Sequence, residues 1–227
     1  MTRLGLILLL LLPVFARAQR IAIAAEVGGF GYRQYGSSQL QRYKLTVLKP
    51  VDPTGFSIGT NARISTAGAF FGQAGLRFSN QPIGVQFTDT RPDLPAPDEA
   101  VPGVGLALRQ LELPVYAGFR VGDRSALHLD VFGGLTPSLN WYGSRNQNVA
   151  DPYRRAVFES LNRFSLAYAA GMAIRLDRWS LTTTWEQTMT SLNRAIADQN
   201  QSFRFNTGYE GVRAMIGYQF NQRRVGK

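Results

Sequence analysis

The chain contains no cysteine. That absence excludes a disulfide framework, cysteine-ligated zinc or iron–sulfur, a thiol nucleophile and a lipid-modified N-terminal cysteine. Histidine occurs once, at His128. Zinc sites draw several ligands from His and Cys, so neither a metal nor a cofactor is expected. Past residue 20, no apolar run approaches the ~20 residues that a membrane-spanning helix needs. A phosphate-cradling G-x-x-x-x-G-K-[ST] loop is also missing. Acidic residues are comparatively scarce, 15 against 25 Lys and Arg, for a formal charge of +10. Nucleic-acid binding asks for a basic patch or a recognised motif. The arginines here are scattered, so anionic headgroups or surface polysaccharide suit the charge better and no nucleic-acid partner is expected.

What is present begins with "MTRLGLILLLLLPVFARAQR". A basic start at Arg3, an apolar run over 4–12, Pro13 and then Ala16-Arg17-Ala18 match a secretory leader cut after Ala18. The chain is therefore expected to be exported, with residues 1–18 removed. A single domain over 19–220 and a short periplasmic tail over 221–227 follow from that reading.

Beyond the leader, apolar residues alternate with a period of two, the signature of strands. Eight are expected: 21–35, 55–65, 69–80, 106–121, 126–142, 164–176, 179–190 and 205–220. Their connections alternate without exception. "TAG", "GDRS" and "DR" are short, whereas 36–54, 81–105, 143–163 and 191–204 are long. Short periplasmic turns, long outer loops and an even strand count are the pattern of an outer-membrane barrel. The expected fold is all-β, an eight-stranded antiparallel up-and-down transmembrane β-barrel. A ten-stranded count, with 41–48 spanning, is the alternative, and it spoils the alternation.

Strand faces separate into lipid-facing and lumen-facing sets. In "YEGVRAMIGYQF" one parity holds Val212, Ala214, Ile216, Tyr218 and Phe220, and the other holds Gly211, Arg213, Met215, Gly217 and Gln219. Outward aromatics fall at two rims: Phe56, Phe78, Trp141 and Phe164 near the long loops, and Phe70, Phe119, Trp179, Tyr218 and Phe220 near the short turns. Two such girdles fit the two interfaces of a bilayer.

The inward parity collects Glu26, Arg63, Arg77, Glu112, Arg120, Asp130, Arg175, Glu186 and Arg213. An eight-stranded lumen is only wide enough for side chains to fill. Buried charge persists when paired and hydrogen-bonded, so a lumen charge network is expected. A ligand or proton site is the competing reading. His128 points inward near the periplasmic end, away from the outer rim where a lipid substrate lies. A hydrolase triad needs serine, histidine and carboxylate within reach of one another, so no catalytic residue is expected.

Several irregularities are legible. Gly28, Gly29 and Gly31 in "VGGFGYRQY" suggest a bulge or tight curvature. Pro114 interrupts the fourth strand and calls for a ladder position without a donor. Residues 41–48 and 83–88 are candidates to extend strands above the membrane, and "DPYRRAVFESLNRF" suits a short helix. The second long loop is acidic and Pro-rich. The first carries Arg42, Lys44 and Lys49, and the third carries Arg145, Arg154, Arg155 and Arg163, so the loops have opposite signs that favour a clamp over the mouth.

"LRQLELPVYAGFRV" (108–121), followed by "LHLDVFGGLTPSL" (127–139), "AAGMAIRL", "TTTWEQTMTSLN" and "GVRAMIGYQF", resembles the PorT-like outer-membrane β-barrel family of Bacteroidota. The likeness is best from 108 to 220. It implies a non-enzymatic integral outer-membrane protein with a structural or interaction role, some relatives supporting protein secretion or envelope organisation. A terminal strand ending in aromatics is similar to the signal read by the barrel-assembly machinery, here through Tyr218 and Phe220. Implied partners are outer-membrane lipid and lipopolysaccharide, that machinery, and a protein at the loops or the periplasmic face. A small-solute channel is the first alternative, and a lipid-modifying enzyme the second.

Overall fold

A computed structural model describes residues 18–39, 43–47, 54–66, 68–89, 104–122, 127–142, 159–193, 195–198, 201–204 and 206–224. The leader apart from Ala18, most of the acidic loop and Arg42, Lys49, Arg145, Arg154 and Arg155 lie outside these residues, as does the expected clamp between loops.

Among the described residues there are twelve strands: β1 (Ala18–Gln39), β2 (Tyr43–Val47), β3 (Thr54–Thr66), β4 (Phe70–Asp89), β5 (Val104–Glu112), β6 (Val115–Val121), β7 (Leu127–Tyr142), β8 (Phe164–Leu176), β9 (Trp179–Thr188), β10 (Ala195–Asp198), β11 (Gln201–Arg204) and β12 (Thr207–Arg224). Antiparallel pairing runs β1–β3–β4–β5/β6–β7–β8–β9–β12 and returns to β1. The closing seam extends from Arg20↔Arg224 to Gly36↔Thr207. Because β5 and β6 both pair with β4 and β7, they count as one spanning strand. Eight strands therefore close a barrel, and closure removes the unpaired edges that an open sheet would expose.

The interruption between β5 and β6 is caused by Pro114, which lacks an amide donor. The ladder is maintained around it: Gly75 N donates to Pro114 O at 2.9 Å, and Leu113 N donates to Pro137 O at 2.9 Å. The ten-stranded alternative is not adopted. β2 has only five residues, short of the ~9–11 that span a bilayer. It pairs with the upper ends of β1 and β4 instead, lengthening the wall above the membrane. β4 itself continues to Asp89, so 83–88 extends that strand. β10 and β11 form a separate hairpin inside the fourth long connection. At the other end, β12 runs four residues past Phe220.

One local expectation needs correction. Gly28, Gly29 and Gly31 lie in continuous register with β12 and β3, and the register shift of the β1–β12 seam falls between Ile23 and Ala24. The glycine at 28 answers a close backbone approach, since a Cβ there would collide with Ala214 O. Of the segment expected to form a short helix, 151–158 lies outside the described residues, Glu159 and Ser160 are helical, Leu161 bridges to Asn193, and Phe164 opens β8. The β8–β9 turn is Asp177-Arg178, with Asp177 at φ 49°, a left-handed conformation that Asp tolerates better than most residues.

Burial divides each wall into two faces. Ile216, Leu181 and Ile174 are 55%, 50% and 47% exposed, whereas Arg213, Glu112 and Asp130 are at most 1% exposed. This inverts the arrangement of a soluble protein, in which large apolar side chains are inside and charges outside.

Candidate functional site: the charged lumen

Inward charge is sorted into two clusters. The inner one joins four strands. Arg77 on β4 meets Glu112 on β5 at 2.5 Å and Glu186 on β9 at 2.7 Å. Arg213 on β12 meets the same two carboxylates at 3.2 and 2.9 Å. Ser79 donates to Glu112 at 2.5 Å, and Arg213 donates to Ser57 and Ser79. The Arg213 guanidinium also lies over the Phe30 ring, 4.2 Å from its centroid. Two cations and two anions, all buried, form a neutral four-member network. Arginine suits the position because its fork reaches two carboxylates at once.

The second cluster lies toward the short turns and is built around one carboxylate. Asp130 on β7 is held by Arg63 at 2.5 and 3.0 Å. Arg175 donates to it at 2.7 Å, and Arg120 stands 3.6 Å away. Gln73 takes a longer bond from Arg175, at 3.4 Å. His128 pairs with Arg175 across the β7–β8 ladder. Glu26 joins neither cluster by an ion pair among the described residues. It accepts from Asn61 at 2.8 Å, and Asn61 separates it from Arg63 along β3.

An aromatic layer divides the clusters. Phe71, Tyr116 and Phe132 pack with Ala169 and Ala173, and Tyr116 stacks on Phe132 with ring centroids 5.1 Å apart. The Arg63 guanidinium lies against the layer, 3.5 Å from the centroid of the Phe71 ring. Glycine makes room for the rings: a Cβ on Gly171 would come within 2.9 Å of the Phe132 ring. Above the inner cluster, Gln81, Gln110, Asn140 and Ser165 form an amide and hydroxyl chain around the wall.

Of the nine inward charges expected from parity, eight enter the two clusters and Glu26 stands apart. Parity reasoning passed over Ser57, Ser79, Phe30, Phe71 and Tyr116, which complete the clusters and the layer between them. All five occupy inward positions, so the alternation that picked out the charges marked them too. They escaped notice because neutral side chains carry no charge signal.

On the outside, the aromatics form two contact groups. Phe56, Phe78 and Trp141 adjoin one another near the long loops, at centroid distances of 6.1 and 6.0 Å. Phe164 is exposed at the start of β8, in the same half. Near the short turns, Tyr218 meets Trp179 at 4.9 Å and Phe220 at 5.5 Å. Phe70 and Phe119 are ladder partners in that half. A further outward pair, Tyr168 with Trp185 at 5.2 Å, was not expected.

The Outer membrane protein beta-barrel domain profile matches residues 28–194, about three quarters of the chain. Comparison with curated proteins gives no match. Among solved structures, OprG from Pseudomonas aeruginosa is 12% identical, covering 90% of this chain and 97% of its own, with a TM-score of 0.48. Ail, the attachment invasion locus protein of Yersinia pestis, is 14% identical over 89% of this chain and 99% of its own, TM-score 0.40. LpxR from Salmonella typhimurium is 10% identical over 88% and 100%, TM-score 0.32. Scores this low carry no weight for function. The family match and the closed, inside-out sheet lead to one conclusion: the chain belongs to the outer-membrane protein β-barrel domain family and resides in the cell outer membrane.

Proposed function

We propose that this protein is a non-enzymatic, PorT-like outer-membrane barrel with a structural or interaction role, supporting protein secretion or envelope organisation. The observation that carries this reading is the filled lumen. Among the described residues, the inner charge network and the aromatic layer occupy the barrel in succession. A solute channel needs a continuous water path, and a lumen packed with paired charge and rings opposes one. For a lipid-modifying enzyme the base must lie where the lipid lies. His128 is half-buried toward the short turns, on the lumen side, beside Arg175. That placement does not suit triad chemistry at the outer rim.

The working surfaces are then the long loops and the periplasmic face, where a protein partner binds. Acyl chains and lipopolysaccharide contact the apolar belt and its girdles. The assembly machinery reads the terminal strand through Tyr218 and Phe220. No nucleic acid is involved.

Crosslinking in intact cells, followed by identification of bound proteins, tests the interaction role directly. A reproducible envelope or secretion partner is the expected result. Reconstitution in planar bilayers should give no steady conductance, and a stable single-channel current would replace this reading with a solute channel. A His128→Ala strain should keep its lipid profile unchanged, and altered acylation would favour the enzyme.

A further inference from the structure

The two lumen clusters differ in charge balance, and the cluster near the short turns is incomplete. Among the described residues one carboxylate, Asp130, faces Arg63, Arg120 and Arg175, a formal excess of two positive charges. Each nitrogen of Arg63 has a partner: Nε donates to Ser65 and the two Nη to the oxygens of Asp130. Arg120 differs. Its Nε is buried without a hydrogen-bond partner, although the side chain as a whole is 27% exposed. The Nε2 of His128 is likewise buried and unpartnered.

These unmatched groups share a small region. Arg120 is the ladder partner of Asp130 across β6–β7. His128 lies two residues before Asp130 on the same face of β7, opposite Arg175 on β8. Directly opposed side chains have Cβ atoms ~4.5–5.5 Å apart. Two residues further along the ladder from Arg120 and Asp130, Gly118 pairs with Phe71 and Phe132 of the aromatic layer, and in the other direction β6, β7 and β8 end at short turns, which face the periplasm in this family of folds. A buried donor without a partner, such as Arg120 Nε, costs free energy, and clustered cations repel one another. A single anion entering from the periplasmic side satisfies both demands.

We propose that the periplasmic mouth of the barrel is a binding site for one oxyanion group, a carboxylate or a phosphate, held by Arg120 and His128 with Arg175 as flanking charge. Guanidinium forks match both oxyanions in geometry. The site lies on the periplasmic face, away from the outer loops, and oxyanion binding is read without any protein partner, so its failure is distinguishable from failure of the interaction role.

The test is calorimetric titration of the full folded chain in uncharged detergent at low salt, with two probes. Inorganic phosphate represents a free phosphate-type ligand, and N-acetylglycine represents the carboxylate at the end of a peptide. Saturable one-to-one binding of at least one probe is expected, and the tighter probe identifies the source. Arg120→Gln should weaken it by about tenfold or more, as befits loss of a charge-assisted hydrogen bond. Arg109→Gln, on the exposed outer wall, should leave it within about twofold, since exposed charge is screened. Folding is checked by heat-modifiable migration, and His128→Gln supplies a second variant, also expected to weaken binding, should Arg120→Gln fail to fold. The proposal is overturned if neither probe saturates, if the lumen variants bind like wild type, or if Arg109→Gln weakens binding as much as Arg120→Gln.

Discussion

The inner and periplasmic clusters use the same residue types to different ends. The inner one balances two arginines against two glutamates, excludes solvent, and leaves its members fully engaged. The periplasmic one, among the described residues, sets three arginines against a single aspartate and retains a buried donor without a partner at Arg120 Nε. Burial explains the contrast. Charge deep in a low-dielectric lumen must be neutralised within the protein, because nothing else reaches it. Charge at a mouth can be completed from the aqueous side. The inner cluster is therefore structural cement between strands distant in sequence, whereas the outer one keeps electrostatic capacity in reserve.

The largest effect should follow from unbalancing the inner cluster. Glu186→Gln leaves Arg77 and Arg213 sharing one carboxylate, and the expected loss is about 3–5 kcal/mol in urea unfolding of the lipid-reconstituted barrel. Adding Arg213→Met to it restores neutrality and should recover most of that loss, because a buried pair replaced whole is tolerated far better than a pair broken. A failure to recover would mean that Arg213 matters more for its serine contacts than for its charge.

The partition between the clusters can be attacked next. Gly171→Val drives a branched side chain toward the Phe132 ring, and overpacking of this kind costs about 1–3 kcal/mol. The same variant should raise proton exchange at the Tyr116 and Phe132 backbone amides, measured by hydrogen–deuterium exchange. Smallest of all is Arg120→Gln, which removes a partly exposed surplus cation. Its unfolding free energy should stay within about 1 kcal/mol of wild type. A loss as large as that of Glu186→Gln would make the two clusters alike and undo the contrast.

Much of this architecture is legible in residue alternation. The inward charges, the outward girdles and the short–long connections all follow from a period of two, because lipid and lumen impose opposite polarity on neighbouring residues. Strand β8 illustrates the strength of the signal: its expected bounds and its observed ones coincide. The sorting of eight of the nine charges into two clusters, with Glu26 apart, was not legible. It depends on the stagger between strands, which brings Arg77 to Glu186 and Arg213 to Glu112 across the lumen rather than along a ladder. Parity fixes the face of a side chain, not its height. Gly28 misled for a related reason: it accommodates backbone approach from β12, a cross-strand fact with no local imprint. The β10–β11 hairpin was missed because "AIADQNQSFR" is short and mostly polar, without the apolar face that marks a spanning strand.

The central claim is that the wall turns its apolar face to lipid and its charges inward. The natural absence of cysteine permits single-cysteine labelling without background. A fluorophore at Ile216→Cys, Leu181→Cys or Ile174→Cys should be strongly quenched by lipids brominated on their acyl chains, whereas labels at the buried, inward Met215→Cys, Thr184→Cys and Ala173→Cys should not. Quenching at the second set, with protection of the first, would contradict the account.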